Sequence, residues 1–150
     1  MEIQKFWESF LKEAGLPLST TYQEAFHFEL TQALADHLLK LVLTNKKRAT
    51  ASSLYAYEIQ QERIPQVNDF SILTDWVGTP FCVIKTTAVT ILSFKRIPFA
   101  LCMREGEDDT LESWQKTHRA FFTKEGNALG YSFCEDMPVV FEEFEVVYRR

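Results

Sequence analysis

The chain has 150 residues, 46% of them hydrophobic, and a formal net charge of −5; a domain of this size buries roughly 70% of its unfolded surface, so no metal or disulfide staple is required. No apolar run approaches the roughly 20 residues of a membrane span, and Met1-Glu2-Ile3-Gln4-Lys5 lacks the basic-then-apolar order of a secretion signal, so a cytoplasmic protein without a membrane partner is expected. Cys82, Cys102 and Cys134 are odd in number, widely spaced and without a CxxC pair or histidine neighbours, which argues against a disulfide framework and structural zinc and implies neither a metal nor a cofactor.

Ile3, Phe6, Trp7, Phe10, Leu11 and Ala14 form the stripe of an amphipathic helix that Gly15 and Pro17 should stop. Leu30, Leu34, Leu38, Leu41 and Val42 repeat that spacing, and the second helix should end near Thr44 or Asn45, with Asn45 a left-handed cap. From Thr50 the period changes to two, which predicts a strand carrying Tyr55 and Tyr57 on one face and Leu54 and Ala56 on the other. Phe70 to Thr74 and Phe81 to Leu92 read as a hairpin turned by Asp75-Trp76-Val77-Gly78-Thr79-Pro80, the second strand long enough to bend around a barrel. Asp109 with Glu112 resembles a capping box ahead of a helix whose stripe is Leu111, Trp114, His118, Phe121 and Phe122, and Val139 to Tyr148 alternates as a closing strand. This order does not alternate as βαβ units do. It predicts one α+β domain over residues 1–150, with a mainly antiparallel, barrel-like sheet flanked by helices and a helical N-terminal extension over about residues 1–28.

Charge is segregated along the chain. Residues 1–39 carry 2 basic and 6 acidic groups, residues 40–104 carry 9 and 4, and residues 105–150 carry 5 and 11. An acidic protein is a poor general polyanion binder, but a local basic strip can hold one nucleotide or a short strand. Lys46, Lys47 and Arg48 lie where the second helix hands over to a Thr/Ser-rich strand, and Lys85, Lys95, Arg96 and Arg104 extend the strip. Trp76, Tyr55 and Tyr57 are candidates to stack a base, against the alternative that they fill a core or hairpin face. The box Arg104-Glu105-Gly106-Glu107-Asp108-Asp109 is positioned to bring a carboxylate to Lys47 and Thr50. His27, His37 and His118 are isolated, and His118, on an apolar stripe, reads as a satisfied, partly buried residue.

Several segments in this order resemble the ASCH family, the activating-signal-cointegrator homology domains, whose fold belongs to the PUA-like β-barrels. They include Ala35-Asp36-His37-Leu38, Lys47-Arg48-Ala49-Thr50-Ala51-Ser52, Ile64-Pro65 with Asp69-Phe70-Ser71-Ile72, Glu105-Gly106-Glu107, Leu111-Glu112-Ser113-Trp114, His118 with Phe121-Phe122, and Glu142 to Tyr148. The resemblance implies a cleft that accepts RNA or a modified pyrimidine nucleoside, and similarity to a small amidohydrolase acting on acetylated cytidine. In that branch the implied catalytic set matches Lys47, Thr50 and Glu105. Lys46, Arg48, Ser52, Tyr55, Trp76, Lys85, Arg104 and Glu107 are the expected substrate-binding residues. Asn45 and Asn68 stand where the family has glycines, Arg48 where a Thr is common, and Asp108 where the acidic box has a glycine.

Two divisions of labour suit this set. Thr50 is a nucleophile only if a base takes its proton, and Lys47 does that only where desolvation suppresses its charged form. Alternatively Glu105 activates a water, Lys47 polarises the carbonyl and Thr50 positions the substrate, with Glu107 a rival carboxylate. A non-catalytic RNA-binding module and a metal-independent ribonuclease are competing functions, and the sequence names no protein partner.

Overall fold

The structure, a computed structural model, describes residues 2–28 and 31–150; the expectations placed on Met1 and Leu30 lie outside the described residues. Helix α1 (Ile3–Ala14) ends as its spacing predicts, at Gly15, whose left-handed φ of 68° lets the backbone N–H groups around the cap return to Leu11 and Lys12. Helix α2 (Gln32–Leu43) starts on a Thr31 side-chain cap and ends at Thr44 and Asn45. Its buried stripe is Ala35, Leu38, Leu39 and Val42, whereas Leu34 is exposed. Asn45 and Asn68 have φ of 60° and 75°. Asparagine tolerates the left-handed region by local hydrogen bonding, so both turns form without glycine.

Strand β1 (Ala25–Phe26) precedes α2, and β2 (Ala49–Ser53) follows it. The strand predicted to continue through Tyr57 stops at Ser53: its hydroxyl accepts the Tyr55 N–H at 3.2 Å and caps helix α3 (Leu54–Gln60). Tyr55 and Tyr57 therefore do not share a strand face. Strands β3 (Phe70–Thr74) and β4 (Pro80–Ser93) form the expected antiparallel hairpin. Asp75 organises its turn by accepting the N–H groups of Val77 and Thr79 at 3.1 and 2.8 Å. After the short helix α4 (Phe99–Cys102) and a 3-10 turn (Met103–Glu105) comes α5 (Leu111–Leu129), capped by Thr110 rather than Asp109. The Thr110 hydroxyl accepts the Ser113 N–H at 3.0 Å, while Asp108 accepts the Ser113 hydroxyl at 2.6 Å.

The fold is α+β, but the sheet is not a closed barrel. Its order is β1-β3-β4-β5-β2, with β5 (Pro138–Arg149) inside the sheet and not closing it. The edge strand β1 has only two residues and runs parallel to β3, while β2 pairs antiparallel with Val139–Glu143 of β5. Among the described residues no pairing joins the two edges, so the sheet stays open. Among the described residues no helix is long and apolar enough to cross a membrane.

The chain divides into two compact units. The first comprises Met1–Lys46, Val67–Thr87 and Phe144–Arg150. Phe6, Trp7, Phe10 and Leu11 pack there on Ile72 and Val83, with Trp7 5.1 and 5.8 Å from the rings of Tyr22 and Phe70. Trp7 Nε1 donates to the Thr20 carbonyl at 3.0 Å, so its one polar atom is satisfied. Leu38, Leu39 and Val42 pack separately on Leu73, Cys82 and Ile84. The second unit comprises Lys47–Gln66 and Ala88–Glu143. Its core joins Trp114 and Phe122 of α5 to Phe94, Met137, Val139 and Phe141.

Candidate functional site

The second unit buries charge beside that aromatic core. Lys47 precedes β2 and is 2% exposed. Its Nζ lies 2.9 Å from Glu107 Oε2 and 3.8 Å from Glu105 Oε2. The backbone explains how two carboxylates separated by one residue reach the same amine. Arg48 N–H donates to the Arg104 carbonyl at 2.6 Å, tying the start of β2 to the 3-10 turn. Gly106 then takes φ of 75°, a conformation open to glycine at little cost, and reverses the chain so that Glu105 and Glu107 both face Lys47.

A fourth group completes the cluster. His118, one turn after Trp114 on α5, is 8% exposed and has both ring nitrogens engaged. Nδ1 lies 2.8 Å from the Trp114 carbonyl and Nε2 3.0 Å from Glu105 Oε2. The isolated, satisfied histidine expected from the apolar stripe is therefore also a ligand of the acidic box. Its signal in the sequence was the position one turn beyond Trp114, on the helix that the box introduces.

The two carboxyls are driven apart. Burial opposes charge on Glu105, but Lys47 and then His118 outweigh it and hold the group below its ordinary value. Burial pushes Glu107 up, with Lys47 pulling against it and the Glu105 charge adding to it. Burial opposes charge on His118 too, yet the hydrogen bond and charge of Glu105 raise it. Glu107 is also the accessible member, its side chain 24% exposed against 2% for Glu105. Cys102 is inert nearby: burial first, then the Glu105 charge, push its thiol up to about 12.

Of the remaining sequence candidates, Thr50 is half-buried on β2 opposite Glu142, and Ser52, two residues on, lies opposite Val140. Arg48 is exposed, and Arg104 forms an ion pair with Glu143. Tyr55 lies on α3, packed on the aromatic core with its ring 5.9 Å from Tyr131. Lys46, Trp76 and Lys85 belong to the first unit. There Trp76 packs on His27 at 4.7 Å, and Lys85 sits opposite Phe70 in the hairpin. A cavity of about 440 Å³ in that unit is lined by Phe10, Glu13, Ala14 and the end of β5, and includes none of the Lys47 cluster. Among the described residues no three His, Cys, Asp or Glu side chains are gathered to hold a metal ion.

The ASCH domain model matches residues 24–148. The chain belongs to the ASCH family. This ASCH protein is 34% identical to an ASCH domain from Lactobacillus crispatus JV V101, with a TM-score of 0.88 over 99% of this chain and 97% of that one. It is 28% identical to protein EF3133 from Enterococcus faecalis V583, with a TM-score of 0.89 over 98% and 88%. The hypothetical protein PH0355, 17% identical with a TM-score of 0.54 over 85% and 100%, is alike in fold alone. No curated protein matches the sequence significantly.

Proposed function

We propose that this ASCH protein binds RNA or a modified pyrimidine nucleoside beside Lys47 and hydrolyses the amide of acetylated cytidine there. The observation that carries the reading is the buried Lys47 bound by two carboxylates whose affinities for a proton differ, the more basic of them reachable from solvent. An ammonium paired with two carboxylates is a poor base for Thr50, which favours the second division of labour. Lys47 polarises the acetyl carbonyl and stabilises the oxyanion. Glu107, rather than the enclosed Glu105, takes a proton from water as it attacks the acetyl carbon. It returns that proton to the exocyclic nitrogen as the C–N bond breaks, leaving acetate and cytidine. Thr50, on the strand that follows Lys47, orients the substrate, and exposed Arg48 meets a phosphate where the nucleoside is part of RNA.

The test incubates the protein with acetylated cytidine and, separately, with single-stranded RNA. Wild type should release cytidine, and Lys47→Ala and Glu107→Gln should each lower kcat by about 10²-fold or more. Cytidine release unchanged in both variants overturns the assignment. RNA cleavage without cytidine release indicates the ribonuclease, and salt-sensitive RNA binding without turnover indicates the binding module.

A further inference from the structure

We propose that His118 is a positioning residue that decides which carboxyl beside Lys47 carries the proton: as an imidazolium held between the Trp114 carbonyl and Glu105, it keeps Glu105 ionised and leaves the exchangeable proton to Glu107. The inference rests on the reading of Glu107 as the group that moves a proton to and from substrate.

The hydrogen bonds constrain the ring first. A carbonyl oxygen only accepts, so the nitrogen 2.8 Å from the Trp114 carbonyl, Nδ1, carries a hydrogen. Nε2 lies 3.0 Å from Glu105 Oε2; with Glu105 ionised beside Lys47 it donates as well, and a ring donating from both nitrogens is a cation. The imidazole also lies flat on the Trp114 ring, with centroids 4.0 Å apart and planes at 18°, an arrangement that favours positive charge over the indole face.

Lys47 alone sets the opposite order. Its amine is closer to Glu107, at 2.9 Å, than to Glu105, at 3.8 Å, so by itself it favours ionising Glu107 first. His118 supplies the second positive charge, and supplies it to the Glu105 oxygen that also faces Lys47. Groups from several elements face the ring. Glu105 comes from the 3-10 turn, Glu107 acts through space from the following loop, and Trp114 and Phe122 come from α5, the latter 6.0 Å away. Lys47 reaches it through the shared carboxylate oxygen. The opposed shifts of Glu105 and Glu107 agree with this order. Of the two carboxyls, the one that substrate can reach is thus the first to take up a proton, and when ionised it is the stronger base towards water.

The decisive experiment is a carbon-13 NMR titration of the Glu105 and Glu107 carboxyls in wild type and His118→Gln, which keeps an N–H donor but carries no charge. In wild type Glu105 should titrate at lower pH than Glu107, and in His118→Gln the order should reverse or merge. An unchanged order overturns the proposal. Nitrogen-15 spectra of wild-type His118 give a second reading that no folding failure can obscure: both nitrogens should be protonated at pH 6, and an unprotonated Nε2 overturns it. If wild type hydrolyses acetylated cytidine, His118→Gln should lower kcat roughly tenfold with KM nearly unchanged and move the acid limb of the pH profile to lower pH. Absence of turnover in wild type defeats the proposed activity but leaves both titrations to decide the role of His118.

Discussion

The two units have different kinds of interior. In the first, α1 meets the sheet through Phe6, Trp7, Phe10 and Phe70, and the indole N–H is satisfied by a neighbouring carbonyl. In the second, an aromatic core of similar character runs into Lys47, Glu105 and His118, all nearly solvent-free. Burying hydrocarbon stabilises directly, whereas burying ions costs several kcal/mol each before pairing returns it, and an apolar replacement is often no worse. An interior that keeps three titratable groups beside an accessible carboxyl is better suited to moving protons than to holding a fold.

The largest effects test that contrast directly. Trp7→Ala should cost about 3–5 kcal/mol by urea unfolding, from lost burial and the cavity left behind, and the loss should be nearly the same at pH 5 and pH 8. Lys47→Ala should cost a similar amount, about 3–5 kcal/mol, at pH 8, where it strands buried negative charge. That loss should shrink at pH 5 as Glu107 protonates. Equal losses at the two pH values for Lys47→Ala would erase the distinction between the interiors.

A smaller effect probes packing inside the second unit without touching its charges. Gly126 lies in α5, where alanine normally gains about 1 kcal/mol of helix propensity. Here an added Cβ would stand 2.4 Å from the Tyr131 carbonyl oxygen, a backbone atom held by the turn in which Gly130 and Tyr131 N–H groups return to Gly126. Gly126→Ala should therefore destabilise, by about 1–3 kcal/mol in thermal unfolding. A gain in stability would show that this helix end yields easily.

The sequence made these interiors legible to different depths. The limits of α1, the end of α2 just before Thr44 and Asn45, and β3 followed from apolar spacing and from residues suited to left-handed turns. Leu54 to Tyr57 did not, because alternation over four residues fits a strand as well as the first turn of a helix, and the Ser53 cap decides between them. Barrel closure was not legible either, since it depends on edge pairing that no local pattern encodes. The meeting of Lys47 with the acidic box was anticipated from the junction it occupies. Its hierarchy was not: which carboxylate is enclosed depends on Gly106 and on a histidine from another element.

Proton linkage separates the buried cluster from ordinary surface charge, and the direction is fixed by the two opposed shifts. Glu105, lowered from 4.5, contributes stability that is present above that value and lost as pH falls through its folded titration. His118, raised from 6.5, contributes stability that is present below that value and lost as pH rises through its folded titration. The pair is thus most stabilising between pH 4.5 and 6.5, and the alkaline loss should flatten in His118→Gln when Tm is followed against pH. The smallest expected effect belongs to Arg119 and Glu135, paired at 2.6 Å with side chains 44% and 47% exposed. Arg119→Gln should cost at most about 1 kcal/mol. Added salt should remove most of that loss, because solvent-exposed charges are screened over a Debye length of about 8–10 Å at moderate ionic strength. The same salt should leave the alkaline loss from the Lys47 cluster almost intact, since an enclosed pair has little solvent between its charges. If salt abolished both equally, the cluster would be as solvated as the surface pair, and its proton hierarchy would lose its physical basis.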